Sequence, residues 1–385
     1  MSGENLLLSC CQKNALLEYP PAMNPIEQKR PMRESNMELL RIVSMLLVMA
    51  LHANFRALPL PGVPQIAANP SSAWLQFLVE GFAIVAVNVF VLISGWYGIR
   101  PRLSRLGGLV FQVLFFLLLS VACCAVVAPD DLDSKMWGRF FLLGIWDYWF
   151  VKAYLALYIL SPVLNAFVEK ASRRQFGAVL AGFFALELVY GWWAPDTGWW
   201  AKGFSFPSFI GLYLLARFMR LHPLGFWKKN RWLDLGIYVL MGLSLTVIMF
   251  VLKSTGRPGA KWYFYTCPLV IVGAMHLLLF FSKIHFSSKA VNWVAASAFA
   301  AYLTQSNWFF GKYYDEFIRQ WFNNEPRFTF IIYTVAFVVA VFVVSILLDK
   351  FRLLLWQGLL AGYRRVKTQN DEKDNACVRD SSRSD

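Results

Sequence analysis

Charge is scarce in this sequence. Only 16% of its 385 residues are Asp, Glu, Lys or Arg, against about 25% in soluble domains. So little charge excludes a disordered chain, a coiled coil and a nucleic-acid-binding domain of ordinary composition. Cysteine is thin as well. There are six, Cys10–Cys11 and Cys123–Cys124 are adjacent pairs, and no Cys-x-x-Cys exists, so neither a zinc site nor a redox motif is supported. Also missing are a Walker loop, Gly-x-Ser-x-Gly, His-Glu-x-x-His and any half-to-half repeat, which removes the common signatures of nucleotide hydrolysis, serine hydrolysis and zinc proteolysis.

What is present is apolar bulk: 58% of positions are hydrophobic and 17% aromatic. It arrives in blocks of about twenty residues, enough to cross a hydrocarbon core of roughly 30 Å. The blocks fall at about 37–55, 74–99, 106–128, 146–168, 176–193, 204–219, 233–252, 262–281, 291–310 and 328–348. The expected fold is an all-α, polytopic bundle of about ten spans. A short extra helix around Lys135 to Gly144 fits the pattern too. Lys and Arg gather in the loops on the side of the two termini, which places both termini in the cytoplasm. The same rule accounts for the net charge of +14 without nucleic acid. Residues 1–33 read as a cytoplasmic, disordered tail, 34–350 as the membrane domain and 351–385 as a cytoplasmic C-terminal tail.

Ionisable groups inside apolar blocks are costly and point to function. The first block holds Glu38, Arg41 and His52. Arg41 and His52 are eleven residues apart, about three helical turns and roughly 16 Å of rise, so both fall on one stripe with Met45 and Val48 between them. Glu38 lies three before Arg41 and can pair with it. The stripe would carry a cation near the cytoplasm and an imidazole much deeper. The plainer reading is that Glu38–Arg41 pins the helix end and His52 caps the other.

Arg100, Arg102 and Arg105 sit at a cytoplasmic junction where a helix begins. Guanidinium forks and free backbone N–H groups suit phosphate there, although topology alone also explains them. Lys152 reads as a snorkelling residue beside Trp149 and Phe150. Tyr154 and Tyr158 share a face and can offer hydroxyls, or belong to an interfacial belt. Asn88, Gln305 and Asn307 must face protein or water. His276 reads as a satisfied core histidine.

Taken in order, several of these pieces resemble the membrane acyltransferase-3 family. Arg33…Asn36-Met37-Glu38-Leu39-Leu40-Arg41 with His52 matches its Arg-x10-His signature. Asn88-Val89-Phe90-Val91-Leu92-Ile93-Ser94-Gly95-Trp96, Arg102-x-x-Arg105, Trp149-Phe150 through Ser161-Pro162 and Ala301-Tyr302-Leu303 follow. The resemblance implies an integral enzyme of the bacterial cytoplasmic membrane, without an appended soluble catalytic domain. Such enzymes move an acyl group, usually acetyl, from cytoplasmic acyl-CoA to a hydroxyl of an envelope saccharide, possibly lipid-linked.

By motif match, His52 and Arg41 are the catalytic candidates, joined by Glu38 as the partner of Arg41, and Arg102 and Arg105 are the acyl-CoA candidates, joined by Arg100 of the same basic group. Asn88, Trp149, Tyr154, Tyr158 and Gln305 are candidates for the acceptor; no metal is implied. Glu38 stands where many members have Asp, and Gln305 where many have His. A neutral imidazole would take the proton of the sugar hydroxyl as the thioester is attacked, directly or through an acyl-histidine. The competing class is a transporter or flippase for a glycan or small anionic solute, with the same charged stripe as its pathway.

Overall fold

A computed structural model describes residues 35–132, 148–228 and 230–381, with side chains as far as residue 362. The expected tail over 1–33 and the short helix around Lys135 to Gly144 lie outside the described residues. Among the described residues there is no strand, and the expected all-α membrane bundle is what forms.

Helix α1 (Asn36–Leu51) passes directly into a π-helical turn, His52–Arg56. The short α2 (Val63–Ala68) precedes α3 (Pro70–Ala83) and α4 (Ala86–Tyr97), which together make one membrane-length rod. That rod starts where Asn69 Oδ1 accepts from Ser72 N at 3.2 Å and Pro70 takes the first helical position, a strong local start signal. It stops at Gly98, whose φ of 75° a side chain would resist. Next come α5 (Leu103–Val127), α6 (Trp149–Lys170), α7 (Arg173–Leu186), α8 (Phe206–Leu221), α9 (Arg231–Ser254) and α10 (Pro268–Ser282).

Among the described residues, eight helical rods are long and apolar enough to cross a membrane. The sixth expected block, α8, has 16 residues, about 24 Å at 1.5 Å per residue, a little short of a full crossing. The ninth differs in kind. Instead of one span over 291–310 it is α11 (Lys289–Ala295), α12 (Phe299–Gln305) and the first turn of α13 (Trp308–Asn324). The chain breaks at Ser306–Asn307 because Asn307 caps α13, its Oδ1 accepting from Phe309 N at 2.9 Å. Gly311 permits the close approach, since a Cβ there would sit 2.8 Å from the Gln305 carbonyl oxygen. The last helix, α14 (Arg327–Ser381), continues through the expected C-terminal tail.

Burial separates centre from rim. The rods over Pro70–Tyr97, Ala260–Ser282 and Asn36–Arg56 are 72%, 67% and 50% buried, whereas the other five reach 33% at most. Helix α1 is central, touching α3, α4, α10, α11 and α12, so the helix with the most suspicious charges is among the three best-enclosed rods. Small residues let the central rods close up. A Cβ on Gly95 would lie 2.5 Å from the Tyr213 carbonyl oxygen and 3.0 Å from its Cα, and backbone cannot swing aside. Gly95→Ala should therefore cost about 1–3 kcal/mol by overpacking α4 on α8, read as a lower thermal midpoint of the detergent-solubilised protein. Gly182→Ala, inside α7 with nothing within 4 Å, should not lower it and should raise it slightly.

His276 on α10 is buried with Nδ1 3.0 Å from Asp234 Oδ1, and Lys283 Nζ bonds the other oxygen of Asp234. It is the satisfied core histidine its sequence context suggested. Lys152 is exposed on α6, as a snorkelling residue should be.

Candidate active site

Met45, Val48 and His52 line one cavity of about 500 Å³, so the deeper part of the stripe shares one surface and its Arg41 end does not. Its lining starts at Met45. Arg41, one turn below, lies outside it and donates from Nη1 to both oxygens of buried Glu38, at 2.8 and 2.7 Å. The cavity volume falls in the range of ordinary ligand sites. Its walls are mostly aromatic, with Phe90, Trp149, Phe150, Phe204, Tyr263 and Tyr265 prominent, and besides the tyrosine hydroxyls its polar groups are His52, Arg56, Glu80 and Ser306.

The π-helical turn decides how those groups are presented. With the ladder bond from Ala57 N to His52 O closing a wider loop, His52 and Arg56 both reach the cavity, while Asn54 turns to α3. Asn54 Nδ2 donates to the Gln76 carbonyl at 2.9 Å and to Glu80 Oε2 at 3.0 Å. Such π-turns are rare and concentrate at functional sites.

His52 Nδ1 lies 2.9 Å from Gln305 Oε1 and 2.9 Å from Arg56 Nη1. A single ring nitrogen answers only one of them, because Gln305 Oε1 accepts and a guanidinium only donates. In the tautomer that a base requires, Nδ1–H donates to Gln305 and the lone pair sits on Nε2. No protein group among the described residues bonds Nε2, and the ring faces the cavity. Arg56 Nη1 then has a proton with no acceptor on the ring. The rest of the guanidinium is fixed: Nε donates to both Asp315 oxygens at 3.0 Å, Nη2 donates to Oδ1 at 2.7 Å, and the group lies over the Tyr314 ring at 5.6 Å. Asp315 and Tyr314 are on α13, and Gln305 ends α12. The broken ninth block and the helix that runs on from it therefore supply both supports of the His52–Arg56 pair, consistent with discontinuous helices building polar sites inside membranes.

The other candidates divide into two groups. Trp149 lines the cavity, its ring 4.6 Å from Phe204 and 5.9 Å from Tyr265 between centroids. Asn88 does not line it. Its Nδ2 donates to the Tyr265 carbonyl at 2.9 Å and so holds a cavity wall. Tyr154 stacks on Phe150 at 5.9 Å and meets Ser94 Oγ at 3.4 Å. Tyr158 lies elsewhere: its hydroxyl accepts from Arg102 N at 2.7 Å and donates to Arg102 O at 3.1 Å. It thereby pins the start of α5, where exposed Arg100, Arg102 and Arg105 have no ion-pair partner among the described residues.

Three groups at the cavity were not singled out from sequence: Arg56, Glu80 and Asp315. Arg56 looks like an ordinary loop cation, although its place four residues after His52 puts it on the same helical face. Glu80 is an acid inside an apolar block, which is signal enough in a membrane protein. Asp315 carries no local signal, since only the fold brings it to Arg56.

An aromatic-walled cavity with a supported imidazole and a tethered guanidinium is what the membrane bundle presents. A family model described as an acyltransferase domain matches residues 34–350, and the chain belongs to that membrane acyltransferase-3 family. No curated protein and no solved structure gives a significant match to the chain.

Proposed function

We propose that this membrane acyltransferase carries an acyl group, acetyl in the first instance, from cytoplasmic acyl-CoA to a hydroxyl of a cell-envelope saccharide in the bacterial cytoplasmic membrane. The observation that carries the reading is His52, with Nδ1 supported by Gln305 and Nε2 open to an aromatic-walled cavity. Acyl-CoA docks its phosphates at Arg100, Arg102 and Arg105, where α5 begins and its free N–H groups add to the attraction. The apolar stripe of Met45 and Val48 leads the thioester toward His52. Arg41, locked to Glu38, keeps the cytoplasmic end of that helix in register.

His52 Nε2 takes the proton of the acceptor hydroxyl as its oxygen attacks the thioester carbonyl carbon. The carbonyl oxygen, now anionic, accepts a hydrogen bond from Nη1–H of Arg56. Collapse breaks the carbon–sulfur bond, the ester leaves with the acceptor, and the CoA thiolate recovers the proton from His52 as free thiol.

Membranes incubated with radiolabelled acetyl-CoA and envelope glycans test this. Labelled ester with stoichiometric free CoA is the expected result. Solute flux across vesicles without CoA consumption would replace the reading with a transporter. Replacing Arg102 and Arg105 together with alanine should weaken acetyl-CoA binding by about tenfold or more, on the order of two charge-assisted contacts of 1.5–3 kcal/mol less their solvent screening. Unchanged affinity would return the cluster to topology alone.

A further inference from the structure

Glu80 is the acid of the cavity that the proposed reaction leaves idle. It is 6% exposed, on α3, and lines the same cavity as His52. Its one hydrogen bond comes from Asn54, 3.0 Å from Oε2. No Lys, Arg or His among the described residues pairs with it, and the nearby cation of the site, Arg56, is engaged by Asp315. A carboxyl group offers about four lone-pair positions, so most of its accepting capacity is unspent. Keeping such a group dry and under-bonded is costly, and the cost is recovered when a bound molecule supplies O–H donors. The cavity it lines is walled by Phe90, Trp149, Phe204, Tyr263 and Tyr265, which can bury the carbon faces of a ring while its edge hydroxyls seek partners.

Resting on the transferase reading above, we infer that Glu80 binds the acceptor through a second hydroxyl, distinct from the one His52 deprotonates, so that the cavity selects polyhydroxylated rings over monohydric ones. Asn54 lies two residues from His52 on the π-turn and holds Glu80 by its amide. The anchor for the second hydroxyl and the base for the first are thus set from one short segment. His52 touches the reacting oxygen; Glu80 sets which molecule brings it.

The test compares acetyl transfer from radiolabelled acetyl-CoA to methyl glucopyranoside and to cyclohexanol, in membranes carrying wild-type protein or Glu80→Gln. Glutamine keeps the shape and can still accept from Asn54, so folding is preserved and is checked by the thermal midpoint. Giving a partner to a buried polar group that would otherwise lack one is worth about 10- to 100-fold in an equilibrium. The wild type should therefore favour the sugar by at least about tenfold in kcat/KM, and Glu80→Gln should lose most of that preference through a raised KM for the sugar. The Kd for acetyl-CoA should not move. An unchanged sugar-to-cyclohexanol ratio in the variant, or an equal fall for both acceptors, would overturn the assignment. Wild-type membranes that bind acetyl-CoA but acetylate neither ring would instead remove the transferase reading, and this inference with it.

Discussion

Membranes carrying His52→Ala should lose acetyl transfer by about 10²–10⁴-fold, the usual contribution of a positioned acid–base group, while the protein still inserts to wild-type levels. The loss should fall on kcat, because the imidazole meets the acceptor only where its proton moves. Insertion should survive because nothing in the local backbone depends on the ring. The π-turn is closed by main-chain bonds, from Ala57 N to His52 O and from Leu58 N to Asn54 O. The segment is also tied to α3 through Asn54. Gln305→Ala should produce a smaller fall, since it removes the acceptor that keeps the proton on Nδ1 but leaves Nε2 in the cavity. Substantial transfer by His52→Ala would eliminate the base assignment, and a variant that fails to insert would show the ring to be structural.

The sequence disclosed the architecture better than the site. Spans such as 106–128 and 233–252 are legible because a rod in lipid must satisfy its own backbone and so shows itself as a continuous apolar run. The stripe of Met45, Val48 and His52 was legible for a related reason, since helical period alone fixes which residues share a face. Block 291–310 misleads by the same logic. Its apolarity is that of a span, but Asn307 offers a cap and Gly311 a close approach, and these short-range signals divide it. Asn88 shows another limit. Its burial in a span was readable, yet the partner that defines what it does is a carbonyl 177 residues away. Arg56 and Asp315, 259 residues apart, illustrate the point most sharply. Each looks like a flanking charge until the break in the ninth block brings α13 across the end of α1.

Arg56→Gln should cost roughly 10²–10³ in kcat, the scale of removing one donor aimed at a developing oxyanion. The argument turns on a conflict in the resting site. Arg56 Nη1 and Gln305 Oε1 both approach His52 Nδ1 at 2.9 Å, and only Gln305 can be satisfied when the ring is in its basic tautomer. Arg56 is thus held by Asp315 through Nε and Nη2 with its Nη1 protons unspent, donors already oriented before the substrate carbonyl becomes anionic. Asp315 is half-sheltered at 21% exposure and Arg56 at 30%, so the pair alone contributes only modest stability. Asp315→Asn keeps an acceptor for Nε and should lower kcat far less than Arg56→Gln. The double variant should be no slower than Arg56→Gln alone, because the support has no function once the donor is gone. If the two single variants lost activity and thermal stability in equal measure, and the double variant recovered both, the pair would be a structural clamp. The carbonyl oxygen of the thioester would then need a different donor.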